Sequence, residues 1–276
     1  MARQSRLFFL WYGLLALFVV VTIFPIYWML ITSLKSFQEV YSVEPKFLPF
    51  RFLWQNYGEI FSKYEYGPAL LNSVVVSLTV SLFSVFTAIF SAYSVVRIRF
   101  RGKKAIPQIL LLSYLIPQTI LFIPIYIFIS VLGLTDSVWG LILVYPTMTI
   151  PYATWVLITY FQNLPRDLEE AAFVDGASRL QAILWVVIPP SLPSLVSTFI
   201  FSFTICWSEY IYALVLIGKK TERTIPLVLS NMLVADIIPW GPLMAGAVIA
   251  SLPIMIIYSI ASKYIVSGLT LGSVKG

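Results

Sequence analysis

Apolar residues fall in six long blocks, at 7–33, 69–96, 106–132, 138–161, 191–217 and 242–262, with short polar segments between them. Each block meets or exceeds the roughly 20 residues a helix needs to cross about 30 Å of hydrocarbon. An isolated strand in lipid would leave its backbone groups unpaired, so each block is predicted to be a helix. The expected fold class is all-α, a polytopic membrane protein with six transmembrane helices. The first block is longer than a signal-peptide core, and no small-x-small cleavage site follows it. An uncleaved anchor is expected there.

Composition strengthens this picture. Hydrophobic residues make up 59% of the 276 and charged residues 11%, far below the quarter or so usual in soluble domains. Lipid can cover such a surface and water cannot. The net charge of +6 would suggest nucleic acid for a soluble protein. Here the basic residues flank the apolar blocks, so they point to membrane orientation and to no nucleic-acid partner. Five of them, Arg97, Arg99, Arg101, Lys103 and Lys104, crowd one short loop. With the N-terminus inside, eleven of the 18 Lys and Arg lie on cytoplasmic segments and seven outside. Both termini are therefore expected in the cytoplasm. The chain has no His and a single Cys, Cys206. Histidine catalysis and an intrachain disulfide are excluded, and no metal site is expected. The outer segment 34–68 is too short for a core of its own, so residues 1–276 are read as a single transmembrane domain.

The longest cytoplasmic segment, 162–190, has its own pattern. Pro165 suits a first helical turn. Asp167, Glu169 and Glu170 suit the positive end of a helix, and Gly176 suits the left-handed residue that ends one. Ser178 and Gln181 form a capping box for a second helix, expected to stop near Ile188 because Pro189 and Pro190 follow. A short helix, a glycine turn and another short helix would thus hang between two membrane spans. Force applied to this segment would move both spans together. The pattern alone also fits an ordinary amphipathic loop at the membrane surface.

Glu170-Ala171-Ala172, three residues, Gly176, nine residues, then Val186-x-Ile188-Pro189 resembles the EAA loop of binding-protein-dependent ABC importer permeases. Val186 and Ile188 replace Ile and Leu of that motif and keep its apolar character. The resemblance extends along nearly the whole chain. Asp175-Gly176-Ala177-Ser178 is similar to the carbohydrate-permease form. Ser33-Leu34-Lys35 with Asn56-Tyr57 resembles the first external loop, and Trp207-Ser208-Glu209-Tyr210 a pattern in the fifth helix. The tail 268–276 is similar to that of maltose permease subunits of MalG type.

The resemblance implies a type I ABC importer permease fold in a bacterial or archaeal cytoplasmic membrane. It further implies a second, MalF-like permease subunit, two ATPase subunits, an extracytoplasmic sugar-binding protein and a sugar as cargo. No cofactor is implied on this chain. ATP and magnesium would be handled by the ATPase, which agrees with the lack of a Gly-x-x-x-x-Gly-Lys-Ser/Thr loop here. By the same resemblance the ATPase is contacted by Glu170, Ala171, Ala172, Asp175 and Gly176: Glu170 through a polar contact, the alanines by close approach, Gly176 by setting the bend. The tail would lie near that interface.

The translocation path is less defined by sequence. Candidates are Gln118, Tyr152, Trp155, Trp207, Glu209 and Tyr210. Aromatic rings could stack on sugar faces, and Glu209 is the only acidic residue well inside a block, where a carboxylate must face protein or water. Gln118 fits pore lining and interhelix bonding equally, and Glu209 also fits a satisfied packing role. Ser73, Ser77, Ser81, Ser84 and Ser91 share one helical face, either polar lining or close packing. Pro117, Pro124, Pro146, Pro151 and Pro253 mark cavity bends or repaired kinks. Competing readings are a permease for amino acids, peptides or metal ions, a secondary transporter or channel, and a membrane-embedded enzyme. The last would need a polar constellation that the sequence does not supply.

Overall fold

The computed structural model describes residues 2–234 and 236–273, with side chains described for 11–117, 119–234 and 236–262. Among the described residues every regular element is helical. In chain order these are α1 (Ala2–Ser33), α2 (Phe37–Val40), α3 (Gln55–Lys63), α4 (Tyr66–Arg97), α5 (Ile106–Leu115), α6 (Gln118–Val131), α7 (Val138–Val144), α8 (Pro146–Asn163), α9 (Asp167–Val174), α10 (Arg179–Gln181), α11 (Ile188–Ser208), α12 (Ile211–Leu216), α13 (Ile225–Leu233) and α14 (Trp240–Ser273). Five helical stretches are long and apolar enough to cross a membrane, and the pair α5–α6 makes a sixth if it is one bent span.

That pair departs from the straight helix expected over 106–132. Its two arms meet at 96°. Ile116 has ψ 124°, because the ring of Pro117 excludes helical geometry from the residue before it; Pro117 also has ψ 124° and gives no backbone donor. Pro124, Pro151 and Pro253 remain inside helices.

A second correction concerns Pro189 and Pro190. The helix they were expected to end continues, and Arg179–Ser208 forms one apolar stretch. Residues Ala182–Val187 adopt a π-helix just before the prolines. Pro189 and Pro190 give no N–H to the carbonyls a turn earlier, and a wider turn takes up that mismatch. Ala182, Ile183 and Val187 of this turn are buried, so packing holds it. The fifth block also differs from expectation: α11 ends at Ser208 and α12 begins at Ile211.

The chain divides into two compact units. The first comprises 1–67 and 228–252. Here Asn56 Nδ2 donates to the carbonyls of Ser33 (2.8 Å) and Lys35 (3.0 Å), and Ser33 Oγ lies 2.9 Å from the Tyr57 hydroxyl. A side chain on Gly241 would strike Asn56 at 2.6 Å, so glycine lets α14 approach this clamp. Glu39 accepts from Ser36 N (2.8 Å) and Phe50 N (2.6 Å) and fixes the outer loop. Burial opposes its charge, yet those amides, the Ser36 hydroxyl and Lys46 hold its carboxyl below the usual range.

The second unit comprises 68–227 and 253–276. In it α8 packs on α5 and α11, and α12 on α6 and α7. Two apolar clusters fill it. One holds Val76, Val80, Tyr145, Tyr212 and Leu216, and the other Ala92, Tyr93, Leu157, Phe161, Ile183 and Val187. The serine face of α4 is packed inside: Ser73, Ser77, Ser81 and Ser84 are buried, and so is Ala88. Ser84 Oγ meets Thr149 Oγ1 at 2.6 Å, and Ser73 Oγ accepts the Ile225 amide at 2.8 Å. Within this unit the stripe brings helices close, as small residues do where lipid offers no hydrophobic drive.

Candidate functional site

The segment between α8 and α11 is built around one backbone reversal. Gly176 has φ +84°, the left-handed region that a β-carbon disfavours. The Ala177 amide bonds back to the Ala172 carbonyl at 2.9 Å, and the Gly176 amide to Phe173 at 3.1 Å, which closes the C-terminus of α9 in the Schellman manner. The next helix opens at once. Ser178 N donates to Gln181 Oε1 (2.7 Å), and Gln181 N donates to Ser178 Oγ (3.3 Å).

Of the five residues expected to meet an ATPase, Glu170, Ala171, Asp175 and Gly176 are exposed and Ala172 is half-buried. All five lie on α9 or the turn that follows it. Val174, the last residue of α9, is 87% exposed, and Trp185, on the turn Ala182–Val187, is 69% exposed.

What tethers the bend was not legible from the sequence. Glu169, next to Glu170, turns inward. Its Oε1 lies 2.5 Å from Arg97 Nε, and the two side chains are only 5% and 8% exposed. Arg97 Nη2 also donates to the Leu164 carbonyl at 3.0 Å, and Tyr93 hydrogen-bonds Glu169. Thus the last residue of α4 holds α9. In the sequence Arg97 shows only as one of five orienting charges in a short loop. The available signal was spacing: Glu169 shares a helical face with Ala172, three residues on, whereas Glu170 lies about 100° away.

Path candidates fall into separate places. Glu209 is buried and fully engaged: it accepts from the Tyr145 hydroxyl (2.7 Å), Tyr212 N (2.8 Å) and Ala213 N (3.2 Å). It therefore caps α12, where orphan amides need an acceptor. Trp207 is buried and stacks on Phe203 at 5.4 Å. Tyr210 packs against the cluster around Tyr145. Tyr152 stacks on Phe201 at 3.7 Å and meets Tyr114 at 5.7 Å. Trp155 is 38% exposed. The Gln118 side chain and those of the 268–276 tail lie outside the described residues.

With this geometry in place, residues 65–270 match the family described as "Binding-protein-dependent transport system inner membrane component". The chain belongs to this family. It is 35% identical to the inner membrane ABC transporter permease protein YcjP of Escherichia coli, over 95% of this chain and 94% of that one. It is 34% identical to the trehalose/maltose transport system permease protein MalG of Thermococcus litoralis, over 94% of each. A crystal structure of a bacterial ABC transporter involved in import of the acidic polysaccharide alginate has the same fold, with TM-score 0.81 and 22% identity over 95% of this chain and 98% of that one.

A permease component is a transport subunit of the inner membrane and not an enzyme. The glycine reversal lies between two spans, and α8 and α11 run on from it through Leu164 and the π-turn at Ala182–Val187.

Proposed function

We propose that the chain as a whole is one permease domain that moves a sugar, an oligosaccharide or related carbohydrate, across the cytoplasmic membrane, driven by ATP hydrolysis on another chain. The single observation carrying this reading is the exposed Glu170–Gly176 bend, fixed at φ +84° and tied to α4 through Glu169 and Arg97. A surface offered for gripping and wired to three membrane helices meets the requirement for coupling. Carbohydrate is favoured as cargo because the relatives similar over nearly the full chain include a trehalose/maltose permease. The Asp175–Ser178 form of the loop supports the same choice.

The remaining parts follow from this reading. A second permease subunit completes the path, two ATPase subunits carry ATP and magnesium, and an extracytoplasmic binding protein delivers the sugar. Both termini face the cytoplasm, in keeping with Arg97–Lys104 in one tight loop. Glu170 meets the ATPase, and Trp207, Glu209, Tyr210, Tyr152, Trp155 and Gln118 lie along or beside the route.

The test is reconstitution of the assembled transporter in liposomes with radiolabelled disaccharide. Gly176→Val should cut uptake and binding-protein-stimulated ATP hydrolysis about tenfold while membrane abundance stays normal. A left-handed β-branched residue costs on the order of 1–2 kcal/mol and re-aims the bend. Undiminished coupling in that variant rejects the role of the loop. Uptake of amino acids but no sugar by the wild type rejects the cargo.

A further inference from the structure

A cleft of about 400 Å³ opens in the second unit where α4 ends and the 162–190 segment begins, and its polar lining is Arg97, Lys103, Lys104, Gln162 and Arg166. The charge there is unbalanced. Arg97 is neutralised by Glu169. Lys103, Lys104 and Arg166 have no ion-pair partner among the described residues. Lys103 is held in place, half-buried and donating to the Ile98 carbonyl at 3.2 Å. The turn that brings it there has Gly102 at φ +85°.

We infer that this cleft binds a phosphate group, and that its source is the headgroup of an anionic phospholipid. Two ammonium groups, a guanidinium fork and a side-chain amide are a donor set for phosphate oxygens. Position selects the lipid. The apolar block 69–96 gives way at Arg97 to the cationic lining of the cleft, and such a change from apolar to basic residues marks the hydrocarbon–water boundary. Its lining also includes the apolar Pro107 and Val95, and α5 leads away from it with Ile109 and Leu112 60% and 64% exposed. A headgroup in the cleft would lay its acyl chains along α5. Because Arg166 precedes α9, an occupied cleft also braces the start of the coupling segment. The proposal needs the membrane-spanning fold and neither the cargo nor the direction of transport.

The experiment is native mass spectrometry of the assembled transporter, purified in detergent and titrated with phosphatidylglycerol or with phosphatidylcholine. One saturable phosphatidylglycerol site is expected, with phosphatidylcholine bound at least tenfold more weakly. A basic residue near such a surface is worth about fivefold in affinity, so Lys104→Gln with Arg166→Gln should weaken this site about 25-fold. Both side chains are exposed, so folding is not at issue, and Arg223→Gln outside the cleft should leave binding unchanged. Equal binding of the two lipids, or an undiminished site in the double variant, overturns the proposal. Displacement by millimolar glycerol phosphate as effective as the lipid itself would overturn the lipid source and leave a soluble phosphate ester as ligand. Binding is read without any transport assay, so failure here leaves the import reading standing, and the reverse.

Discussion

The bend at Gly176 and the bend at Glu209 each keep a carboxylate out of water, but by different means. Glu169 is held by a cation, Arg97, from another helix. Glu209 is held by a hydroxyl and by the amides at the start of its own following helix. The first arrangement is a tether between distant segments. The second is a local cap with one long-range bond. A tether transmits displacement from α9 to α4, whereas a cap stiffens the break between α11 and α12. The exposed face lies at the first bend and the packed aromatic cluster at the second.

The largest loss is expected at the tether. Arg97→Ala leaves Glu169 buried without its partner and should cost about 3–5 kcal/mol, read as a lower thermal midpoint in detergent. Arg97→Met combined with Glu169→Leu should recover most of that loss. If the single and double variants melt alike, the pair is not a tether. Glu209→Ala comes next: it strands the Tyr145 hydroxyl and two amides and should cost about 2–3 kcal/mol, while Glu209→Gln keeps an acceptor and should cost nearer 1. Equal losses for Ala and Gln would show that capping is not what Glu209 does. Ser178→Ala removes the second half of the first bend and should cost about 1 kcal/mol, visible as faster amide exchange over Arg179–Val187.

The smallest effect sharpens the picture at a third turn. Asp136 Oδ1 accepts from the amides of Gly218 (2.5 Å) and Lys219 (2.9 Å). The Lys219 and Gly218 amides outweigh desolvation and hold its carboxyl below the ordinary value. A folded-state value below the unfolded one means that this contribution is present above the unfolded pKa and fades as pH falls through the folded one. The thermal midpoint should therefore drop on the acid limb less in Asp136→Asn than in the wild type. Parallel acid limbs would exclude the contact from the folded state in solution.

Element type, span number and the glycine turn were readable because each rests on local chemistry. Twenty apolar residues select a helix in lipid wherever they occur, and Gly176 with Ser178 and Gln181 stops and restarts a helix using neighbours within five residues. The motif Ser33–Lys35 with Asn56-Tyr57 was visible, but its purpose as a hydrogen-bonded clamp was not. The prolines show where such reading fails. Pro117 bends its helix pair by 96°, with no buried residue on α5 to resist. Pro189 and Pro190 lie in a helix that passes through by way of a packed π-turn. The residue chemistry is the same at both places, and the surroundings differ.

The amino-acid pattern alone fixes that the chain crosses a membrane as helices and where its polar bend lies. Only the tertiary structure decided that Glu169 rather than Glu170 faces inward, that Arg97 is its partner, and that Glu209 is consumed as a cap. Periodicity assigns a residue to a face, but the partner across that face comes from a helix about 70 residues away. Which polar groups meet in a low-dielectric interior is set by how whole helices pack, and there an unmet charge costs the most.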